Sequence, residues 1–304
     1  MCPPLKEKEE PTATLVRRAG ELGFVAVGFS RPTRPPYFDR FLQWLEQGRH
    51  GDMSWLEKSV SLREDPARLL EGCTTVISLA SPYPARKPAT PDGFAVSRFA
   101  CPTLPDYHVR LRDMCRALAR TIGELYPGSA ARICVDSAPI MEKPLALAAG
   151  IGFMGKNNAL IIPGHGSYIH LAEILTTAPV TVPPAQILES QCGACTLCVD
   201  ACPTGALEAP FCLDASRCLS YLTIEHRGEV GREWGAKMGD TFFGCDRCQE
   251  VCPFNEPGRE PHIQLPSVGE LLDMDEAGFR ERFGRTALAR AGLEKIKGNI
   301  RVLD

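Results

Sequence analysis

The sequence has little that would place it in several common classes. Its 34 basic residues are offset by 37 acidic ones, a net charge of −3. No global positive field marks a nucleic-acid binder, so any RNA contact must come from a local patch. No apolar run is long enough to span a bilayer, and Met1-Cys2-Pro3-Pro4-Leu5-Lys6 lacks the apolar core of a signal peptide. A cytoplasmic chain with no membrane partner is the expectation. No G-x-G-x-x-G follows a strand-like stretch and no phosphate-binding loop is present, which removes the usual nicotinamide and nucleoside-triphosphate sites. Apart from paired cysteine motifs there is no internal repeat.

Cysteine, in contrast, is abundant. Fourteen are present, a number that in a chain without an export signal suits a reducing compartment and metal ligation. Eight fall between Cys192 and Cys252. The stretch opens C-G-A-C-T-L-C-V-D-A-C-P, which puts Cys192, Cys195, Cys198 and Cys202 at the C-x2-C-x2-C-x3-C-P spacing of a bacterial two-cluster ferredoxin. Cys218 follows, then C-D-R-C-Q-E-V-C-P with Cys245, Cys248 and Cys252. In that architecture the cysteine before the proline ligates the other cluster. The expected sets are Cys192, Cys195, Cys198 and Cys252 for one [4Fe–4S] cluster, and Cys202, Cys218, Cys245 and Cys248 for the second. Pro203 and Pro253 have no N–H to offer at these turns. Zinc ribbons pair C-x2-C steps without a third close cysteine and a C-P, and disulfides belong to exported chains. Cys2, Cys73, Cys101, Cys115, Cys134 and Cys212 remain, and are expected to be small apolar packing residues.

At 304 residues the chain exceeds one typical domain. Helical periodicity over residues 12–22, 38–47, 53–58, 107–125 and 141–149 alternates with strand-like runs at 24–29, 75–79 and 131–135. That alternation predicts an α/β (α+β) domain over residues 1–185. Leu160-Ile161-Ile162 and Tyr168 to Leu175 read as a hairpin added to its sheet. Residues 186–260 form the ferredoxin-like two-cluster domain, closed by a linker at Pro257, Gly258, Pro261 and Pro266. Residues 261–304 are a short helical tail.

Val135-Asp136-Ser137-Ala138-Pro139-Ile140-Met141-Glu142-Lys143 is the second informative stretch. Asp136 stands where a strand ends, a place where α/β sheets gather functional residues. It reads either as a proton donor or ligand contact, or as a helix N-cap or turn former. Lys156 and Asn157, in a glycine-permitted turn, suit either an anionic ligand or solvent. His108, opening a helix, reads on its own as a satisfied structural histidine.

Taken in order, these stretches resemble the epoxyqueuosine reductases, cobalamin-dependent iron–sulfur enzymes that complete the tRNA nucleoside queuosine. The resemblance runs through Leu22-Gly23-Phe24, His50-Gly51-Asp52-Met53, Arg63 with Asp65-Pro66, Asp106-Tyr107-His108, Val135-Asp136-Ser137-Ala138-Pro139, Gly155-Lys156-Asn157, Gly166-Ser167, Glu173-Ile174-Leu175-Thr176 and Cys218-Leu219-Ser220-Tyr221-Leu222-Thr223. It implies cobalamin between the α/β and cluster domains, with both clusters delivering electrons from an external low-potential donor. Cobalt would act on the epoxide of a tRNA anticodon nucleoside, and Asp136 would protonate the departing oxygen. Cobalamin contacts are expected at Arg98, His108, Asp136, Lys156, Asn157, Leu160, Leu171, Ser220, Cys245 and Asp246. A monomer is expected.

Some features depart from the family. Cys101-Pro102-Thr103-Leu104-Pro105 replaces its short Arg-Gly link, Phe153-Met154 replaces its Trp-Ile, and no D-x-H-x-x-G cobalamin motif is present, since Leu111 stands where the glycine would be. The family often carries C-terminal helical repeats that help grip tRNA, whereas this sequence ends at Asp304. Residues 280–301 hold seven basic residues against two acids, which reads either as a phosphate-binding face or as a solvated helix surface. The alternatives to a tRNA-modifying reductase are a dehalogenase-like corrinoid reductase of a small molecule and a polyferredoxin-type electron carrier. Against the carrier, about 185 residues precede the clusters.

Overall fold

The computed structural model describes residues 10–184, 187–256 and 259–303. Cys2, the expected boundary at 185/186 and Pro257-Gly258 lie outside these residues. The chain enters through helix α1 (Pro11–Glu21), with proline at its start, the Glu10 carboxylate accepting from the Ala13 N–H, and Leu15 and Ala19 buried. Four strands then build the central sheet: β1 (Ala26–Ser30), β2 (Thr75–Pro82), β3 (Ala131–Cys134) and β4 (Ile169–Thr176), in the spatial order β1-β2-β4-β3. Every pair in it is antiparallel. The alternation of helix and strand is as expected, and the strand directions could not be read, because periodicity reports burial and not polarity.

Residues 160–175 differ from expectation. Leu160–Ile161 pairs with Phe153–Met154 in a separate two-stranded ribbon, while β4 is a central strand between β2 and β3. The reason lies in its side chains: seven of the eight β4 residues are buried, a pattern only a strand covered on both faces can hold.

Helix α2 (Tyr107–Leu125) lies on one face of the sheet beside α1. Leu111, Cys115, Leu118 and Ile122 meet Leu15, Ile77 and Ile174 there in one apolar cluster. Helix α3 (Glu142–Ala148) covers the other face with Ala146 and Leu147. Gly28 of β1 sits so close to that helix's end that a Cβ would overlap the Ala149 carbonyl and the Ile151 side chain. Gly28→Ala is therefore expected to cost about 1–3 kcal/mol by overpacking, measurable by denaturant unfolding of the purified protein.

A second apolar core gathers Val96 and Ala100, Leu219, Leu222, Phe242 and Phe243, and Leu271, Phe283, Ile296 and Ile300. All three expected segments thus contribute to one core. Part of the expected linker is a strand: Arg259–Ile263 runs parallel to Arg86–Ala89, and Thr241–Phe243 runs parallel to Ala95–Val96 in the same sheet. No helix among the described residues is long and apolar enough to cross a membrane.

Candidate active site and cluster sites

Cys192, Cys195, Cys198 and Cys252 line a single cavity of about 220 Å³ together with Lys156, Asn157, Leu197 and Phe254. The left-handed Gly193 (φ 49°) makes the tight turn between the first two, closed by the Cys195 N–H on the Cys192 carbonyl at 3.0 Å. The other four thiols are Cys202, Cys218, Cys245 and Cys248: Cys248 lies within electrostatic reach of Cys245, Cys218 and Cys202, and also of Cys198 in the first group. Burial, reinforced by Cys218, pushes the Cys245 thiol up to about 12. Thiolates crowded in such a place need a cation's charge to persist. No three His, Cys, Asp or Glu among the described residues converge as around a single metal ion. Both thiol groups suit the broader span of an iron–sulfur cubane. Of the remaining cysteines, Cys101, Cys115 and Cys134 are buried as expected. Cys212 is only half-buried and accepts a hydrogen bond from Arg49 at 2.8 Å.

Asp136 follows β3 in a left-handed conformation (φ 49°), a strain that a non-glycine residue keeps only when its surroundings fix it. They do. Its Oδ2 accepts from the Tyr107 hydroxyl at 2.7 Å, from His108 Nε2 at 2.7 Å and from Arg290 Nη1 at 3.1 Å. Its own N–H donates to Glu142 Oε1 at 2.7 Å. Asp136 is no helix N-cap, since α3 begins after Met141 with no side-chain cap, and it does occupy a turn. Burial opposes the charge on Asp136, but the hydrogen bonds from His108 and Tyr107, with Arg290 beside them, hold the carboxyl well below its ordinary range.

The proton sits next door. His108 Nδ1 lies 2.6 Å from Asp106 Oδ1, so both ring nitrogens face carboxylates. Burial alone would lower its pKa, yet the bonds to Asp106 and Asp136 raise it to about 9. Glu142, partly buried, is raised to about 7 by loss of solvation and then by the Asp136 charge. Behind it Glu173 is buried with both carboxyl oxygens unbonded among the described residues, and burial followed by the Glu142 charge holds it neutral. Tyr107 stacks on His170 with ring centroids 4.2 Å apart, and burial brings His170 down to about 3.

The other expected residues divide into four sets. Arg98 and Asp246 meet, the Arg98 N–H donating to Asp246 Oδ2 at 2.8 Å, and Cys245 precedes that aspartate in the chain. Leu160 and Leu171 share one apolar cluster. Lys156 and Asn157 are committed to the cluster loops: Lys156 Nζ donates to the Gly193 carbonyl at 2.6 Å and the Cys195 carbonyl at 2.8 Å, and Asn157 Nδ2 to the Cys248 carbonyl at 3.3 Å. Ser220 lies in helix Leu219–Ile224, where its carbonyl accepts from Thr223. Sequence reading missed Arg290 as a member of the Asp136 site, because only folding brings it across 154 positions. Asp106 left a trace, an Asp at a helix start two residues before a histidine.

A family model for a 4Fe-4S double cluster binding domain matches residues 191–255, and one for the epoxyqueuosine reductase QueG, DUF1730, matches residues 63–137. The epoxyqueuosine reductase of Pseudomonas aeruginosa is 38% identical, covering 93% of this chain and 81% of that protein. The crystal structure of epoxyqueuosine reductase with an epoxyqueuosine-modified tRNA-Tyr stem loop is 30% identical, with a TM-score of 0.85 over 96% of this chain and 80% of that one. The Bacillus subtilis epoxyqueuosine reductase, with its catalytic loop swung out of the active site, is 29% identical, with a TM-score of 0.83 over the same shares. A catabolic reductive dehalogenase, 15% identical with a TM-score of 0.51, covering 97% of this chain and 36% of that one, shares the fold alone. Identity at this level over nearly the whole chain, with the family's own model matching up to and including the Asp136 turn, settles the relationship: this chain belongs to the epoxyqueuosine reductase family of oxidoreductases.

Proposed function

We propose that the protein reduces epoxyqueuosine to queuosine in the anticodon of tRNA, using the two clusters, a cobalamin and an external low-potential donor, with Asp136 and His108 as its acid pair. The observation that carries this reading is the Asp136 carboxylate, fixed by Tyr107, His108 and Arg290 in a chain with thiols for two cubanes. Cobalamin fits the same region. The Tyr168 hydroxyl and His170 Nε2 are buried there with no hydrogen-bond partner among the described residues, and such orphans are completed by a ligand or water. Arg98, Leu160, Leu171, Ser220, Cys245 and Asp246 would hold it. When bound, cobalamin supplies a cobalt nucleophile that the clusters recharge one electron at a time.

Removing an epoxide oxygen as water consumes two electrons and two protons. His108 holds a proton at Nε2, and transfer along its 2.7 Å bond places it on Asp136, whose side chain is 40% exposed and so open to substrate. Asp136 therefore works as the relay from His108, and not as a standing acid. Glu142 is the second nearby group whose charge changes close to neutral pH. Arg290 comes from a segment whose Arg280, Arg282 and Arg285 are also exposed, so the turn that completes the site carries positive charge to its edge, suited to tRNA phosphates.

The test is anaerobic turnover of an anticodon stem-loop containing epoxyqueuosine, by protein reconstituted with iron, sulfide and cobalamin and reduced with dithionite. Conversion to the queuosine form is expected. Turnover of a small aryl halide with none of the stem-loop would replace this reading by the dehalogenase-like one.

A further inference from the structure

The turn Gly155-Lys156-Asn157 leaves the α/β part of the chain and enters the wall of a cluster site. Lys156 lines the cavity formed by Cys192, Cys195, Cys198 and Cys252. Its ammonium donates to two carbonyls of the loop that carries the first two of those cysteines, at 2.6 and 2.8 Å. It forms no ion pair with a carboxylate among the described residues, so its positive charge is not cancelled locally. Its backbone carbonyl is fixed as well, accepting from the Phe211 N–H at 2.9 Å. Next to it Asn157, a neutral donor, makes the corresponding bond to the second cluster's loop at Cys248. The cysteine loop that Lys156 bonds is on the surface, with Leu197 49% exposed.

We propose that Lys156 is a potential-setting residue, raising the reduction potential of the cluster held by Cys192, Cys195, Cys198 and Cys252. The inference rests on the cluster assignment above. A [4Fe–4S] cluster takes one electron on passing from its 2+ to its 1+ state, and with four thiolates attached its net charge becomes more negative. A fixed cation in the wall stabilises the reduced form more than the oxidised one, and cluster potentials respond to such charge and to hydrogen bonding. Asn157 gives the second cluster's loop a neutral hydrogen bond at the Cys248 carbonyl, and the charge near those thiols comes from other lysines, Lys143 beside Cys218 and Cys248 and Lys87 near Cys245. The Lys156 charge thereby makes the outer cluster easier to fill from a one-electron donor docking at the exposed loop. Removing the charge leaves it dependent on a stronger reductant.

The experiment is a redox titration of the reconstituted full chain followed by electron paramagnetic resonance, for wild type, Lys156→Gln and Lys156→Arg. In Lys156→Gln one midpoint is expected to fall while the other stays, with iron and sulfide content unchanged; in Lys156→Arg the wild-type potential is kept. Unshifted midpoints in a fully loaded Gln variant overturn the proposal, as do equal shifts of both clusters, which mean general loosening. Should the Gln variant lose iron, Ala194→Glu puts an acid on the exposed loop while leaving the lysine's bonds intact. It is expected to lower the same midpoint, and an unchanged value there also overturns the proposal. Wild-type protein without two cubane signals would instead overturn the cluster assignment itself.

Discussion

Replacing Asp136 with asparagine is expected to lower product formation by roughly 100- to 10,000-fold, the span of a positioned general acid, with cluster and cobalamin spectra intact. Asparagine keeps the shape and can still accept from Tyr107 and Arg290, so the turn should survive. What it loses is the charge opposite His108 and the ability to carry its proton. His108 then keeps Asp106 alone, and its pKa falls from about 9 toward the ordinary 6.5. The residual activity should accordingly fade at lower pH than the wild-type rate does. The same linkage acts on stability. A histidine raised on folding contributes fully below about pH 6.5, and that contribution is lost as pH rises through about 9. The stability gap between wild type and Asp136→Asn, measured by urea unfolding, should therefore narrow over that window. Undiminished turnover in the Asn variant would remove Asp136 from the chemistry.

Cys218→Ser is expected to abolish one cluster, taking iron from about eight to about four per chain, and to bring turnover to background. Cys218 is the informative choice because it stands apart from both C-P motifs, sixteen positions after Cys202, at the start of helix Leu219–Ile224. Cys212→Ser is the control. That half-buried thiol is already engaged by Arg49 and lies near Glu208, and it belongs to neither expected ligand set, so iron content should not change. A Cys212 variant that lost iron, or a Cys218 variant that kept all of it, would overturn the pairing.

Much of this was legible in the sequence because the signals were local. The span of helix α2 follows from its period, and Asp106 at its start marks the boundary chemically. The two-cluster segment is marked by the spacing of its thiols, and their cross-pairing is what that spacing leads one to expect. Asp136 stood out by position at a strand end. What was not legible depends on contacts between distant parts of the chain. Strand direction leaves no trace in burial patterns, so the antiparallel sheet and the central place of β4 emerged only with the fold. Arg290 looked like one basic residue among several until the tail packed against α2. Lys156 was matched to cobalamin by resemblance, while its bonds go to Gly193 and Cys195, 37 and 39 positions away. His108 read alone as structural, and it is the second carboxylate, Asp136, that changes its role.

The core that joins residues 96–100, the helix after Cys218 and the tail has Cys218 and Cys245 packed against its edge. Air that strips iron from these two thiols would therefore also unseat the hydrophobic residues behind them, including the tail that presents Arg290. Oxidative inactivation of this enzyme should begin as chemistry at sulfur and end as loss of shape at the opposite side of the reaction centre.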